Sequence, residues 1–136
     1  MLAELIKSGF GQNEDYNCAE KILYGANVAY DLKMLANDMK VAAAFGGGMG
    51  IEGMCGAITG GLMAIGLLFT VEVQHQSPKV RVISNEFISA YQQKMGNMDC
   101  KPLTEDHRTE EGGCHFVILE AAILLDDIYK REFLSK

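Results

Sequence analysis

From Gly53 to Val71 the chain runs nineteen residues without a charge. As a helix that length would cross a bilayer, and Gly56-x-x-x-Gly60 within it is a spacing that lets helices pack closely. Glu52 and Glu72 flank the segment and no Lys or Arg anchors either end, which is the wrong charge for a membrane boundary. The segments around it are amphipathic or polar. It therefore reads as the buried central helix of a bundle, with no membrane insertion, and the remaining helices must cover it.

Those helices can be placed from apolar spacing and end signals. Leu2, Leu5 and Ile6 suggest a short helix ending at Gly9 or Gly11. Asn13 to Asp15 offer caps for a second, with Ala19, Ile22, Leu23, Ala26 and Tyr30 at a 3.6-residue period. Asp31 is expected to cap a third, with Leu32, Leu35, Met39 and Ala42 inward, stopped by Gly46-Gly47-Gly48. The central helix begins near Gly53, with Cys55, Ile58, Leu62, Ile65 and Phe69 on one stripe. Ser77-Pro78 starts another, carrying Val80, Ile83, Phe87, Tyr91 and Met95 and closed by Gly96. Residues 97 to 113 read as polar loop, with Cys100, Pro102 and His107. After Gly112-Gly113, Cys114, Val117, Ile118, Ala121, Leu125 and Ile128 share the face of a last helix. The expectation is a single all-α domain over residues 1–136, a compact bundle of about five to six helices around a Gly-rich central one.

The formal net charge of −6, with no Lys/Arg cluster, argues against nucleic acid as a partner, since nothing would neutralise phosphates. It also argues against attachment to an anionic membrane surface. The start MLAELIKSGF has acidic Glu4 where a leader would be basic, and no long apolar run follows. The reading is a cytoplasmic protein, in a compartment that keeps thiols reduced.

Within such a protein the four cysteines carry the chemistry. Cys18, Cys55 and Cys114 each fall near the start of a helical segment, where unpaired N–H groups and the helix dipole favour a thiolate. Cys100 falls in the polar stretch before Pro102. There is no C-x-x-C pair, so ligation of zinc or an iron–sulfur cluster would need the fold to gather distant cysteines. His107 and His115 lie near Cys100 and Cys114 in sequence and are candidates for a ligand or a proton acceptor. The simpler readings are a solvated His107 among Glu105, Asp106 and Arg108, and a His115 turned about 100° from its neighbour on a helix. His75 reads as a loop residue, and Glu105, Asp106, Glu110 and Glu111 as a solvated charge run. Met39, Met63 and Met95 read as core filler, and Met49 and Met54 flank the glycine turn.

Gly48 to Gly53 spells G-x-G-x-x-G, with Glu72 at the distance of a ribose-binding acid. The dinucleotide motif needs a strand before it, and Lys40-Val41-Ala42-Ala43-Ala44-Phe45 favours helix. Gly47, Gly48, Gly50 and Gly53 instead suggest a tight turn whose N–H groups face Cys55 and hold a thiolate or a bound anion.

Three blocks carry a resemblance: Asn17-Cys18-Ala19-Glu20, then Ala44-Phe45-Gly46-Gly47-Gly48-Met49-Gly50, then Cys55-Gly56-Ala57-Ile58-Thr59-Gly60. Together they resemble the C_GCAxxG_C_C family of putative redox-active proteins over residues 13 to 130 or so. Cys18 matches the family's first cysteine, Cys55 the one in its glycine element, and Cys100 and Cys114 the last two. Lys101-Pro102 departs from the family's usual turn, and the absence of C-x-x-C-H leaves no c-type haem attachment. The resemblance implies a redox role for the cysteine set. In a thiol/disulfide centre, Cys55 is expected as the low-pKa nucleophile, Cys18 or Cys114 as the resolving thiol and Cys100 as a mobile relay, serving an unidentified redox partner. The same four residues are the ligands if the centre is an iron–sulfur cluster or zinc. A third reading is a non-catalytic homodimer module built on the Gly-rich helix.

Overall fold

A computed structural model describes residues 1–72, 77–109 and 113–134. Among them are seven α-helices and no strand: α1 Leu2–Lys7, α2 Cys18–Tyr30, α3 Ala36–Met39, α4 Gly56–Phe69, α5 Pro78–Met95, α6 Cys100–His107 and α7 His115–Tyr129. His75, Glu110, Glu111 and Gly112 lie outside the described residues. No helix among the described residues is long and apolar enough to cross a membrane.

The uncharged segment is the centre of the bundle. α4 packs against α2, α5 and α7, while α1 lies across α7 and α2. Its glycines set how close those neighbours come. A Cβ on Gly60 would lie 2.7 Å from the Ala19 carbonyl oxygen, and one on Gly56 would lie 3.0 Å from both the Ala19 nitrogen and the Cys18 Cβ. Backbone meets backbone there, which only glycine permits. Ala19, Ile22, Leu23, Ala26 and Tyr30 of α2 are all buried. On the α5 side Ile83, Phe87, Tyr91 and Met95 are buried, and on α7 so are Val117, Ile118, Ala121, Leu125 and Ile128.

Several element boundaries differ from expectation, each for a local reason. Asn17, not residues 13 to 15, caps α2: its Oδ1 accepts the Glu20 N–H at 2.8 Å, and Glu20 Oε1 accepts the Asn17 N–H at 2.9 Å. This reciprocal box satisfies two donors that have no partner inside the helix. Asp31 does not start the third helix; it ends α2 in the left-handed region, at φ 53. α3 is consequently one turn long, Leu35 is 71% exposed, and Lys40–Phe45 continues as a 3₁₀ turn. α4 starts at Gly56 with Cys55 as its cap, and not at Gly53. The stretch expected to be loop holds α6, in which Pro102 is the third residue. Proline is tolerated in a first turn because the N–H it lacks would have no helical partner.

A buried carboxylate closes the bundle. Asp126 of α7 accepts the N–H groups of Leu2 at 3.0 Å and Ala3 at 2.9 Å, and the Tyr30 hydroxyl at 2.7 Å. α1 thus receives its N-terminal cap from a residue 124 positions away.

Candidate functional site

All four cysteines stand at helix starts, and all four are free thiols. Cys18 is the first residue of α2 and Cys100 the first of α6, while Cys55 and Cys114 are the residues capping α4 and α7. Cys100 therefore begins a helix, where an irregular loop was expected. The helices converge so that Cys18 lies within electrostatic reach of Cys114, Cys55 and Cys100. The close contact of α2 with α4 at Gly56 brings Cys18 beside the start of α4.

The glycine turn holds two of these starts in place. Gly47, Gly48 and Gly50 all have positive φ, and the Gly53 N–H donates to the Gly48 carbonyl at 3.0 Å. A Cβ on Gly48 would lie 2.5 Å from the Gly53 nitrogen and 2.8 Å from the Cys100 Cβ. From the closed turn, the Gly53 carbonyl accepts the Cys100 N–H, Met54 bridges to Asp99, and the Cys55 N–H donates to Met98 at 2.8 Å. The turn is preceded by a 3₁₀ turn and not by a strand, so the dinucleotide context is missing. In this structure the turn acts as a clasp between the starts of α4 and α6.

The thiols differ in protonation. Cys18 and Cys114 are hydrogen-bonded to each other through their side chains. That bond to Cys18 holds the Cys114 thiol down at about 6, helped by the charges of Arg108 and Lys21 and opposed by partial burial. Its partner moves the other way: the bond to Cys114, burial and the neighbouring cysteines push Cys18 well above the ordinary thiol range. Cys114 is the half-buried member with cations nearby, so it holds the negative charge and Cys18 holds the proton.

Cys55 does not match the low-pKa expectation. It is 4% exposed, and burial pushes its thiol up; the N–H groups of Ala57 and Ile58 and the Tyr91 hydroxyl pull the other way with less effect. A helix start stabilises a thiolate only to the extent that desolvation does not cancel it. Tyr91 is fully buried beside it, hydrogen-bonded to Cys55 and donating to the Val117 carbonyl at 3.3 Å. Sequence gave no sign of this role, because Tyr91 sits in an apolar stripe and looks like core. Cys100 Sγ lies 3.6 Å from Thr104 Oγ1, which also bonds the Cys100 carbonyl.

Of the three histidines, His107 and His115 are among the described residues. The His107 ring packs against Phe116 with centroids 5.4 Å apart, so it is half-buried where a solvated residue was expected. His115 is the first residue of α7. Among the described residues no three Cys, His, Asp or Glu side chains gather as the ligand set of one metal ion.

No curated protein and no solved structure matches the chain. A family model described as "Putative redox-active protein (C_GCAxxG_C_C)" matches residues 16–128, a span holding all four cysteines and the glycine turn, and the chain belongs to that family.

Proposed function

We propose that Cys18 and Cys114 form a thiol/disulfide couple, with Cys114 as nucleophile and Cys18 as resolving thiol. What supports this is the opposite shift of the two thiols, each caused first by the other, at the starts of two helices in contact, with Cys114 within electrostatic reach of Arg108 and Lys21. A thiolate near ambient pH is the effective attacking species in exchange. In the proposed reaction the Cys114 sulfur attacks one sulfur of a disulfide R–S–S–R, breaking that S–S bond and releasing one R–S⁻. Cys18 gives its proton to the departing thiolate and attacks the Cys114 sulfur of the mixed disulfide, releasing the second R–S⁻, which takes a proton from water. The protein pair loses two electrons and the small disulfide gains them; a dithiol returns the pair to its reduced state. Cys55 and Cys100 stand outside this exchange.

The test is mass spectrometry of the intact protein after equilibration with graded thiol/disulfide buffers, followed by peptide mapping. A reversible loss of two thiols, mapped to a Cys18–Cys114 link and lost in Cys18→Ser and Cys114→Ser, is expected. A two-thiol change that survives both substitutions, or none at all, would overturn the couple. Metal analysis of anaerobically prepared protein runs beside it, and stoichiometric iron or zinc would move the four cysteines to a ligand role.

The assembly we propose is a cytoplasmic homodimer. What supports a second copy is a hollow of about 380 Å³ lined by Leu23, Met34, Val41, Met63, Gly66 and Leu67 with Asp38 as its one charged residue among those described, where the uncharged α4 reaches the surface with Leu67 49% exposed. Sedimentation equilibrium is expected to give twice the chain mass, and Leu67→Glu half of that. A monomer at every concentration would refute the assembly.

A further inference from the structure

Between the end of α6 and the start of α7 lies a hollow of about 450 Å³, lined among the described residues by Thr104, Arg108, Thr109 and Gly113. This is within the size range of small-molecule sites. Its construction ties it to two cysteines. Thr109 and Gly113 exchange backbone hydrogen bonds in both directions, at 3.1 and 2.8 Å, which places Cys114 directly after one wall of the hollow. Thr104 is one turn along α6 from Cys100 and its hydroxyl is 3.6 Å from that sulfur. Arg108 ends α6, its N–H donating to the Thr104 carbonyl at 3.0 Å. Arg108 both lines the hollow and acts electrostatically on Cys114.

Among the described residues the lining carries two threonines and a guanidinium and no large apolar side chain, so it does not suit an apolar ligand. A guanidinium pairs best with a carboxylate, by two parallel N–H···O bonds. A reactive thiol on Cys114, the residue after Gly113, calls for an electrophilic sulfur in the ligand. Resting on the Cys18–Cys114 couple, the geometry points to a substrate site for small disulfides that carry carboxylates, with Arg108 holding the carboxylate and Cys114 meeting the S–S bond. Glu105 and Asp106 are exposed on α6, Glu110 and Glu111 fall between Thr109 and Gly113 in the sequence, and the chain carries a net charge of −6, so the surrounding field repels anions. Anion selection here is a local property of the hollow, which makes it easy to test.

Reduced full-length protein would be mixed with dithiodiglycolate (anionic), 2-hydroxyethyl disulfide (neutral) or cystamine (cationic) at low ionic strength. Each rate is divided by that of a free cysteine derivative with the same probe, which removes intrinsic differences between the disulfides. The anionic probe is expected to exceed the neutral one about three- to tenfold, and the cationic probe to be slowest. Arg108→Gln should bring the anionic/neutral ratio to about one, and Arg108→Lys should keep part of it. Comparing ratios within each variant cancels any change in the nucleophilicity of Cys114. A ratio of one or less in the unsubstituted protein, or a ratio unchanged by Arg108→Gln, overturns the substrate site and leaves the couple standing. No exchange with any probe overturns the couple, and the site with it.

Discussion

Gly56 lies against Cys18 so closely that a Cβ on the glycine would sit 3.0 Å from the cysteine's own Cβ. One turn further, Gly60 presses on the Ala19 carbonyl oxygen, 2.7 Å from where its Cβ would be. The obstacle at Gly60 is backbone, so relief requires α2 to move away from α4. Gly60→Ala is expected to cost about 1–3 kcal/mol as overpacking, despite alanine's better helix propensity. Because α2 carries Cys18, the same variant should also slow Cys18–Cys114 disulfide formation. Gly66→Ala is the control, since nothing lies within 4 Å of its Cβ position, and it should be neutral or stabilising. Denaturant melts of the two variants decide this, and equal losses would refute the backbone-contact argument.

Asp126 provides the second prediction. It is buried and accepts three hydrogen bonds, two from the start of α1 and one from Tyr30. Asp126→Ala leaves two backbone donors and a hydroxyl unpaired, at a cost of about 2–4 kcal/mol. Hydrogen exchange should show α1 losing protection before the rest of the bundle. Tyr30→Phe removes one bond of the three and should cost about 1 kcal/mol. Uniform exchange across α1 and α7 in Asp126→Ala would count against α1 being held by this cap.

The difference between what could and could not be read from the sequence follows the range of the interactions. α5 was legible because Ser77-Pro78 and Gly96 act within their own turns, and Gly96 adopts φ 82 as a C-terminal glycine should. Asp31 misled because the same side chain that caps a helix start also tolerates the left-handed conformation at a helix end. α6 was missed because Pro102 looks like a breaker unless the helix start two residues earlier is known. The four cysteines were visible as a set. Their ranking was not, because it depends on burial at Cys55 and on the meeting of Cys18 with Cys114, contacts between residues far apart in sequence. Asp126 left a faint sign, an acid four residues after Ala122 and so in register with it on the buried face of α7.

The thiol pair gives stability a distinct pH profile. Cys114 is lowered from 9.0 to about 6, so between those values the unfolded chain binds a proton that the folded one has released. Stability therefore rises as pH climbs from about 6 towards 9, and this contribution is lost as pH falls through 6. Cys18 and Cys55 are raised, so above 9.0 the unfolded chain releases protons that the folded one keeps, and stability falls again. Thermal midpoints of the reduced protein should peak near pH 9, and the rising limb should disappear in Cys114→Ser. In parallel, iodoacetamide should label Cys114 with a midpoint near 6, far below the labelling of the other cysteines. A labelling midpoint near 9 for Cys114 would contradict the shared proton.

Tyr91 allows the buried thiol to be tested separately. Its hydroxyl is fully buried, donates to the Val117 carbonyl at 3.3 Å and bonds Cys55. When Cys55 is protonated its S–H has the hydroxyl oxygen as acceptor; when Cys55 ionises, the hydroxyl hydrogen can turn from Val117 to the sulfur. Tyr91 therefore favours the thiolate of Cys55 against the burial that opposes it. Tyr91→Phe preserves the ring and removes this bond, so Cys55 should titrate still higher and react more slowly with a small neutral alkylating reagent. It also leaves the Val117 carbonyl without that donor, at a cost of about 1–2 kcal/mol. The Cys114 midpoint should not move in the same variant, since its proton is set by Cys18, Arg108 and Lys21. If Tyr91→Phe shifts both cysteines alike, the hydroxyl acts on the whole group of thiols and not on Cys55.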